Sequence, residues 1–296
     1  MENDTNYEMK RIGSILLRIA AVFAMIIITI ALTIWAMASC GFAVGAVVGG
    51  ICIVICTAIS KALKRSGTAN IDGEILPDIL KEQIELNEYS PSKHFDEIEL
   101  RRTGALDGFI RADGGGYVDG TFKGVHFTRC AVSLTDRVTE EIYNTETEMY
   151  EQVRSDKTVF SGYIVRTEHN SPQYAGVSAV SDRLDQPAVL RKGQKLWSDN
   201  EITIYSAVGE NIPLVITNGL SAAAEQAGEP AAAVMTEKYL YVIVSTKKTE
   251  LTVNMLRSIS ANRESLAEQV KKLTTIAEKM AFLQNERFAE KQSGVK

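Results

Sequence analysis

The sequence predicts an α+β protein in three parts: an N-terminal two-helix transmembrane hairpin, a cytosolic domain of mixed helices and antiparallel sheet, and a long C-terminal amphipathic helix. Three observations carry this. Two uncharged runs, residues 19–38 and 42–60, are separated only by Ser39, Cys40 and Gly41. Between about 117 and 245, short runs of β-branched and aromatic residues are punctuated by glycine. Beyond Asn262, Leu266, Val270, Leu273, Ala277 and Met280 recur at helical spacing. The mean hydropathy of −0.03 over 296 residues averages these unlike parts and describes none of them.

Twenty residues of helix, 19–38, rise roughly 30 Å, the thickness of a bilayer core. With so short a connection to a second span, the pair must form a tight antiparallel hairpin, because backbone polar groups in lipid are satisfied only within helices. Lys10, Arg11 and Arg18 precede the first span, Lys61, Lys64 and Arg65 follow the second, and the connecting loop carries no charge. That asymmetry places both ends in the cytoplasm of a bacterial inner (cell) membrane. A rival reading takes Met37-Ala38-Ser39-Cys40 as a lipoprotein cleavage site with Cys40 lipidated. The apolar region is longer than a signal core, and a second span rather than a polar tether follows, both of which oppose it. Gly41, Gly45 and Gly49 share one helix face, where small residues let another backbone approach. The expected partner is the first span, through Ala20, Ala24 and Ala31, or a second copy of the chain. Cys52 and Cys56 read as small packing residues on the second span.

Residues 1–66 therefore form the anchor, with a net charge of +3, which leaves −8 on the rest. So acidic a remainder excludes nucleic acid as a partner. Residues 67–73 read as a linker. Residues 74–255 form the cytosolic domain, and 256–296 the C-terminal helix and tail. Within the domain, residues 74–86 read as a helix with Pro77 in its first turn, and 95–103 as a shorter one. Asp113-Gly-Gly-Gly reads as a flexible turn before paired strands at 117–134. Residues 139–157, with six acids and two bases, read as a loop. Strands are expected at 158–166, 186–190 and 201–205, a helix from near Asn218, and a hairpin of 232–235 with 239–245. A helix capped by Asn262 runs to about Lys291, packed on its own sheet.

The succession ILPDILKEQIELNEYSPSK, FDEIELRRTGAL, YVDGTFKGVHFTRCAVSL, TVFSGYIVRTEHN, ITIYSAVGENIPLVITNGL and KYLYVIVSTKKTEL resembles the bacterial membrane family catalogued as domain of unknown function 3137. The likeness covers about residues 74–255, through Ile75–Pro77, Tyr89–Pro91, Gly120–Val125, Phe160–Gly162 and Ile204–Ser206. It implies two N-terminal spans before a soluble α+β region, and it carries no catalytic residue. After Gly162 this chain departs from the family's aromatic and acidic run.

Chemistry is sparse. No nucleophile elbow, zinc-protease helix, phosphate loop or Cys-x-x-Cys occurs, and no cofactor or metal is implied. The residues from which a site might be built are Asp113, His126 and His169. Function then divides between a membrane-anchored binding or scaffolding module and a membrane-associated, hydrolase-like enzyme using those three. The first needs the lipid bilayer and a protein partner or second copy, engaged through the spans or the C-terminal helix. The second requires the three side chains to meet.

Overall fold

The computed structural model describes residues 2–103, 106, 108–144, 149–184, 193–198, 201–228, 230–247, 251 and 257–284, with the backbone alone at 2–4, 45, 60–72, 144, 151 and 283–284. The chain divides into two units, Met1–Ile79 with Thr252–Leu266, and Leu80–Leu251 with Ala267–Lys296.

In the first unit, α1 (Glu2–Cys40) and α2 (Phe42–Lys81) are joined at Gly41, whose φ of +90° suits glycine and whose N–H donates to the Met37 carbonyl. Both contain a stretch long and apolar enough to cross a membrane, and those stretches are unburied. The helices are antiparallel and touch at points both near the turn and near their far ends. Thr33 meets Gly49, where a Cβ would lie 3.2 Å from its Oγ1, and Thr29 Oγ1 lies 3.4 Å from Cys56 Sγ. Near the ends, Lys10 Nζ donates to Glu74 and Tyr7 OH to Asp78, at 2.6 and 2.7 Å. Contacts so far from the turn show why the expected linker is instead helix. The polar part of α1 gives α2 a partner beyond the apolar zone, and α2 continues despite Gly73 and an internal Pro77. Pro77 is therefore mid-helix, not first-turn.

The packing face differs from expectation at several glycines and alanines. Gly49 does face α1, but Gly41 is the turn itself, and Gly45 has no described surroundings. Within the apolar run of α1, Ala21, Met25, Thr29, Thr33 and Met37 are half-buried and Ala36 is buried, while Ala20, Ala24 and Ala31 are exposed. Cys52 and Cys56 lie on the same half-buried stripe as Gly49, as small packing residues should.

The second unit is built on one nine-stranded sheet in the order β1-β2-β3-β4-β9-β8-β5-β7-β6, antiparallel throughout. Its strands are β1 (Glu85–Ser90), β2 (Arg111–Phe122), β3 (Val125–Asn144), β4 (Met149–Glu168), β5 (Val177–Ser181), β6 (Gln194–Ser198), β7 (Ile202–Ser206), β8 (Ala231–Met235) and β9 (Tyr239–Ser245). The expected helix 74–86 stops at Lys81, and its end becomes edge strand β1. Lys123 and Gly124, both at positive φ, turn β2 into β3. The glycine run after Asp113 is part of β2, not a turn. A Cβ at Gly114 would lie 2.2 Å from the Ala131 carbonyl oxygen, and one at Gly115 2.4 Å from that of Pro91, so only glycine admits this approach. The ladder shifts register between Gly115 and Val118, a bulge.

Residues 139–144 and 149–157, expected as loop, are strand, and 145–148 lie outside the described residues. β3 and β4 stay paired from Thr128↔Arg166 to Asn144↔Met149, a ribbon longer than the sheet that carries it. The expected strand at 186–190 lies outside the described residues. Helix α4 (Leu214–Glu225) starts ahead of Asn218, directly after Pro213.

One face of the sheet carries the core of Cys130, Val132, Leu134, Phe160, Ile164, Val180, Ala232, Val234, Tyr241 and Ile243, covered by Phe95 and by Leu100 of α3 (Glu97–Arg102). Helix α5 (Ile259–Met280) begins earlier than Asn262. Ser258 Oγ accepts from Ala261 N–H as the cap, and the Asn262 amide donates back to the Arg257 and Ser258 carbonyls. Leu266, Val270, Leu273, Ala277 and Met280 are buried within the chain. The helix ends at Met280 in a 3-10 turn, and residues from 285 on lie outside the described part.

Candidate functional site

Asp113, His126 and His169 do not converge. Asp113 is opposite Ser133 on β3, seven residues along that strand from His126, or roughly 24 Å at strand rise. It pairs with Arg111 at 2.9 Å. The His126 ring lies 3.0 Å from Asp119, at the exposed end of the β2–β3 hairpin. His169 is buried, with Nδ1 accepting from Ser171 N–H (3.0 Å) and Nε2 facing the Thr236 carbonyl (2.9 Å). Those partners assign the neutral Nε2–H tautomer, and the ring is engaged in fixing the chain after β4. The enzyme reading drew on these three side chains, and they share no pocket. Among the described residues no cluster of His, Cys, Asp and Glu could hold a metal.

The second unit does contain a cleft of about 780 Å³, within the range of small-molecule sites. Its floor is one row across the sheet. Arg166 of β4 pairs with Tyr241 of β9, Tyr241 with Val234 of β8, and Val234 with Ser178 of β5. Three strand spacings make that floor roughly 14 Å long. The wall is α3. Asp96 caps it by accepting from Glu99 N–H at 2.6 Å, Leu100 anchors it in the core, and Glu97 accepts from Ala112 N–H at 3.1 Å. A helix of six residues is thereby held with Glu99 over Arg166.

Arg166 is the organising group. Its Nη1 donates to Glu99, its Nη2 reaches Thr128 Oγ1 at 3.4 Å, and its guanidinium lies 4.9 and 4.7 Å from the Phe95 and Tyr239 ring centres. Burial works against the Arg166 charge, but the Glu99 carboxylate and the Tyr239 and Tyr241 phenols outweigh it and raise its pKa further. Burial, reinforced by Glu99, also raises Tyr241 well above an ordinary phenol, so that hydroxyl stays protonated. The rim turn is built by Thr236, which exchanges hydrogen bonds with Tyr239 and presents Glu237 and Lys238. Asp96, Glu99 and Glu237 balance Arg102, Arg166 and Lys238. With apolar Val234, Met235 and Ile98 beside the Tyr241 and Ser178 hydroxyls, this chemistry suits a neutral or zwitterionic amphipathic molecule better than a phosphate.

None of these residues was singled out from sequence. The available signal was parity: Phe160, Ile164 and Arg166 alternate onto one face of β4, which puts a cation on a core face. Apolar Val159, Tyr163 and Val165 on the opposite parity hid it.

No family model matches the chain, and no curated protein matches it. The crystal structure of the mycobacterial trehalose monomycolate transport factor A matches with a TM-score of 0.34 and 9% identity, over 72% of this chain and 96% of that one. A likeness at that level bears on neither residue roles nor function.

Proposed function

We propose that this chain is a membrane-anchored binding or scaffolding module of the bacterial inner membrane, with its hairpin in the lipid bilayer and both termini and the main domain in the cytoplasm. The observation that carries the reading is the pair of helices whose apolar stretches are of bilayer length and unburied, joined by a single non-helical glycine. Trp35, Leu17, Phe42 and Val54 are among the large apolar side chains they expose, a surface that water does not tolerate and lipid does. The orientation rests on Lys10, Arg11, Arg18, Lys61, Lys64 and Arg65, all on one side of the two spans. The motif succession that resembles domain of unknown function 3137 fits the same organisation. The cleft around Arg166 and Tyr241 supplies a place for a small ligand, and spans or soluble surfaces for a protein partner or second copy.

The test is reporter fusion at Lys64 and at the C-terminus. Fluorescent protein should be bright, and alkaline phosphatase inactive, at both points. Active phosphatase at both would reverse the orientation, and recovery of the chain in the soluble fraction would remove the anchor.

A further inference from the structure

The β3–β4 ribbon leaves the sheet. Neighbour β2 accompanies β3 only as far as Thr135, and β9 accompanies β4 only from Gly162 on. From Asp136↔Lys157 to Asn144↔Met149 the two strands have only each other, nine pairs or roughly 30 Å of arm. A two-stranded ribbon without a core is marginal alone, and this one places large apolar side chains toward its end. Tyr150 is 72% exposed and Met149 68%, with Ile142, Tyr143 and Val153 also exposed.

The two faces differ. On one, Arg137 pairs with Asp156 at 3.4 Å, and Tyr143 packs edge-on against Tyr150 at 5.2 Å. These contacts stabilise the arm itself. On the other, Ile142 is opposite Glu151, and Glu140 is opposite Val153. Glu140 facing aliphatic Val153 gains nothing across the ladder; Glu141, on the first face, is opposite Gln152; and among the described residues neither Glu140 nor Glu141 is in an ion pair. The arm's described strands, 136–144 and 149–157, carry five Asp/Glu against three Lys/Arg, a net of −2.

We infer that the arm is a docking prong for another protein, one whose surface sets Lys and Arg around an apolar pocket. The apolar end supplies contact area, and the acids that do nothing within the ribbon supply charge complementarity. The same charge disfavours the alternatives. Anionic headgroups repel it, and a second arm brings another −2 to the interface. The inference rests on the binding-module reading and names the partner's chemistry.

The test uses the full chain in the membranes of its source cell, with a photo-crosslinking residue replacing Tyr150 and, as control, Val208 at another exposed site. Adducts are mapped by mass spectrometry. The expected result is an adduct at Tyr150, absent at Val208, whose mapped peptide comes from a different protein and has a Lys/Arg excess. Charge reversal by E140K/E141K should lower its yield about tenfold, equivalent to about 1.4 kcal/mol. A melting temperature unchanged by that reversal confirms that the arm remains folded; if it falls, E140Q/E141Q replaces it and should lower the yield in the same direction. Adducts to lipid, to a second copy or to a peptide without basic excess would overturn the proposal, as would no adduct or one indifferent to charge. Any of these with fusions still reporting a cytoplasmic domain overturns the prong and leaves the anchor intact.

Discussion

Replacing Gly162 by alanine separates backbone geometry from propensity. At an unstrained position Gly→Ala stabilises by about 0.4–1 kcal/mol, through the unfolded chain. At Gly162 the new Cβ would lie 1.9 Å from the Val244 carbonyl oxygen and 2.8 Å from Phe160 Cζ, whereas real Cβ atoms keep at least 3.0 Å. Strand β9 must therefore retreat by about 1.1 Å, the difference of those values. From ordinary N···O lengths near 2.9 Å, such a shift breaks the adjacent ladder bonds with β4. Two such bonds at about 1 kcal/mol each, with about 1–3 kcal/mol of overpacking and the propensity gain set against them, leave a net loss of about 2–4.5 kcal/mol. Cys130 reports it. Its side chain is fully buried, and burial pushes its thiol up to about 12, so alkylation near neutral pH requires unfolding. With Cys40, Cys52 and Cys56 replaced by serine and the full chain in detergent, Gly162→Ala should speed labelling of Cys130 roughly 30- to 1,600-fold. A rate unchanged or slowed would refute the packing argument.

Other consequences are open to the same treatment. Glu99→Ala leaves the largely buried Arg166 guanidinium without its carboxylate and should cost about 2–3 kcal/mol by denaturant midpoint, whereas Arg166→Met/Glu99→Leu together should recover most of it. Thr29→Cys should form a disulfide with Cys56 under mild oxidation, since the present side-chain atoms are 3.4 Å apart; Ile27→Cys, on the exposed side of α1, should not. Tyr7 lies twelve residues ahead of the uncharged run 19–38, and its hydrogen bond to Asp78, then burial, push its phenol up to about 12. The folded state holds that proton while the unfolded chain loses it near 10, so the contribution is present below pH 10 and lost as pH rises towards 12. Ultraviolet titration of wild type against Tyr7→Phe reads this directly.

The two long apolar helices were legible because forty nearly continuous uncharged residues, broken only around Gly41, leave little choice but helix. The β8–β9 hairpin was legible because Ala-Ala-Val-Met and Tyr-Leu-Tyr-Val-Ile-Val flank three turn residues. The arm was not, for a physical reason. The described side chains of 139–143, 149–150 and 152–157 are exposed, so no apolar alternation marks them as strand, and their acidity mimics a solvated loop. Continuity of cross-strand pairing, which sequence does not display, makes them strands. The linker failed for a related reason: Gly67, Gly73 and Pro77 are local signals, while the partner that keeps α2 helical is α1, more than sixty residues away. Strands β1 and β5 were missed as short segments whose pairing is non-local, and β6, which pairs locally with β7, because its Gln-Lys-Leu-Trp-Ser run is mostly exposed and shows no apolar alternation. Asp113, His126 and His169 were chosen by residue type, and type carries no information on distance. The cleft depends on which residues four strands, β4 and β5 from one stretch of the chain and β8 and β9 from another, bring to one row.

The row itself explains why the cleft persists. Arg166, Tyr241, Val234 and Ser178 lie at successive positions of one ladder, so their spacing is fixed by backbone hydrogen bonds and not by side-chain packing. A polar group on the core face of a sheet is costly unless paired. Here the pairing comes from α3, which has only six residues and is held by Asp96, Leu100 and the Glu97 contact to Ala112. Glu99 therefore does two things at once: it neutralises Arg166, and it ties a short helix to the sheet. Any ligand that competes for the guanidinium must also loosen α3, whereas one that uses the Tyr241 and Ser178 hydroxyls and the apolar floor need not. The geometry thus selects against strong anions and for small amphipathic molecules, on grounds of stability as well as charge.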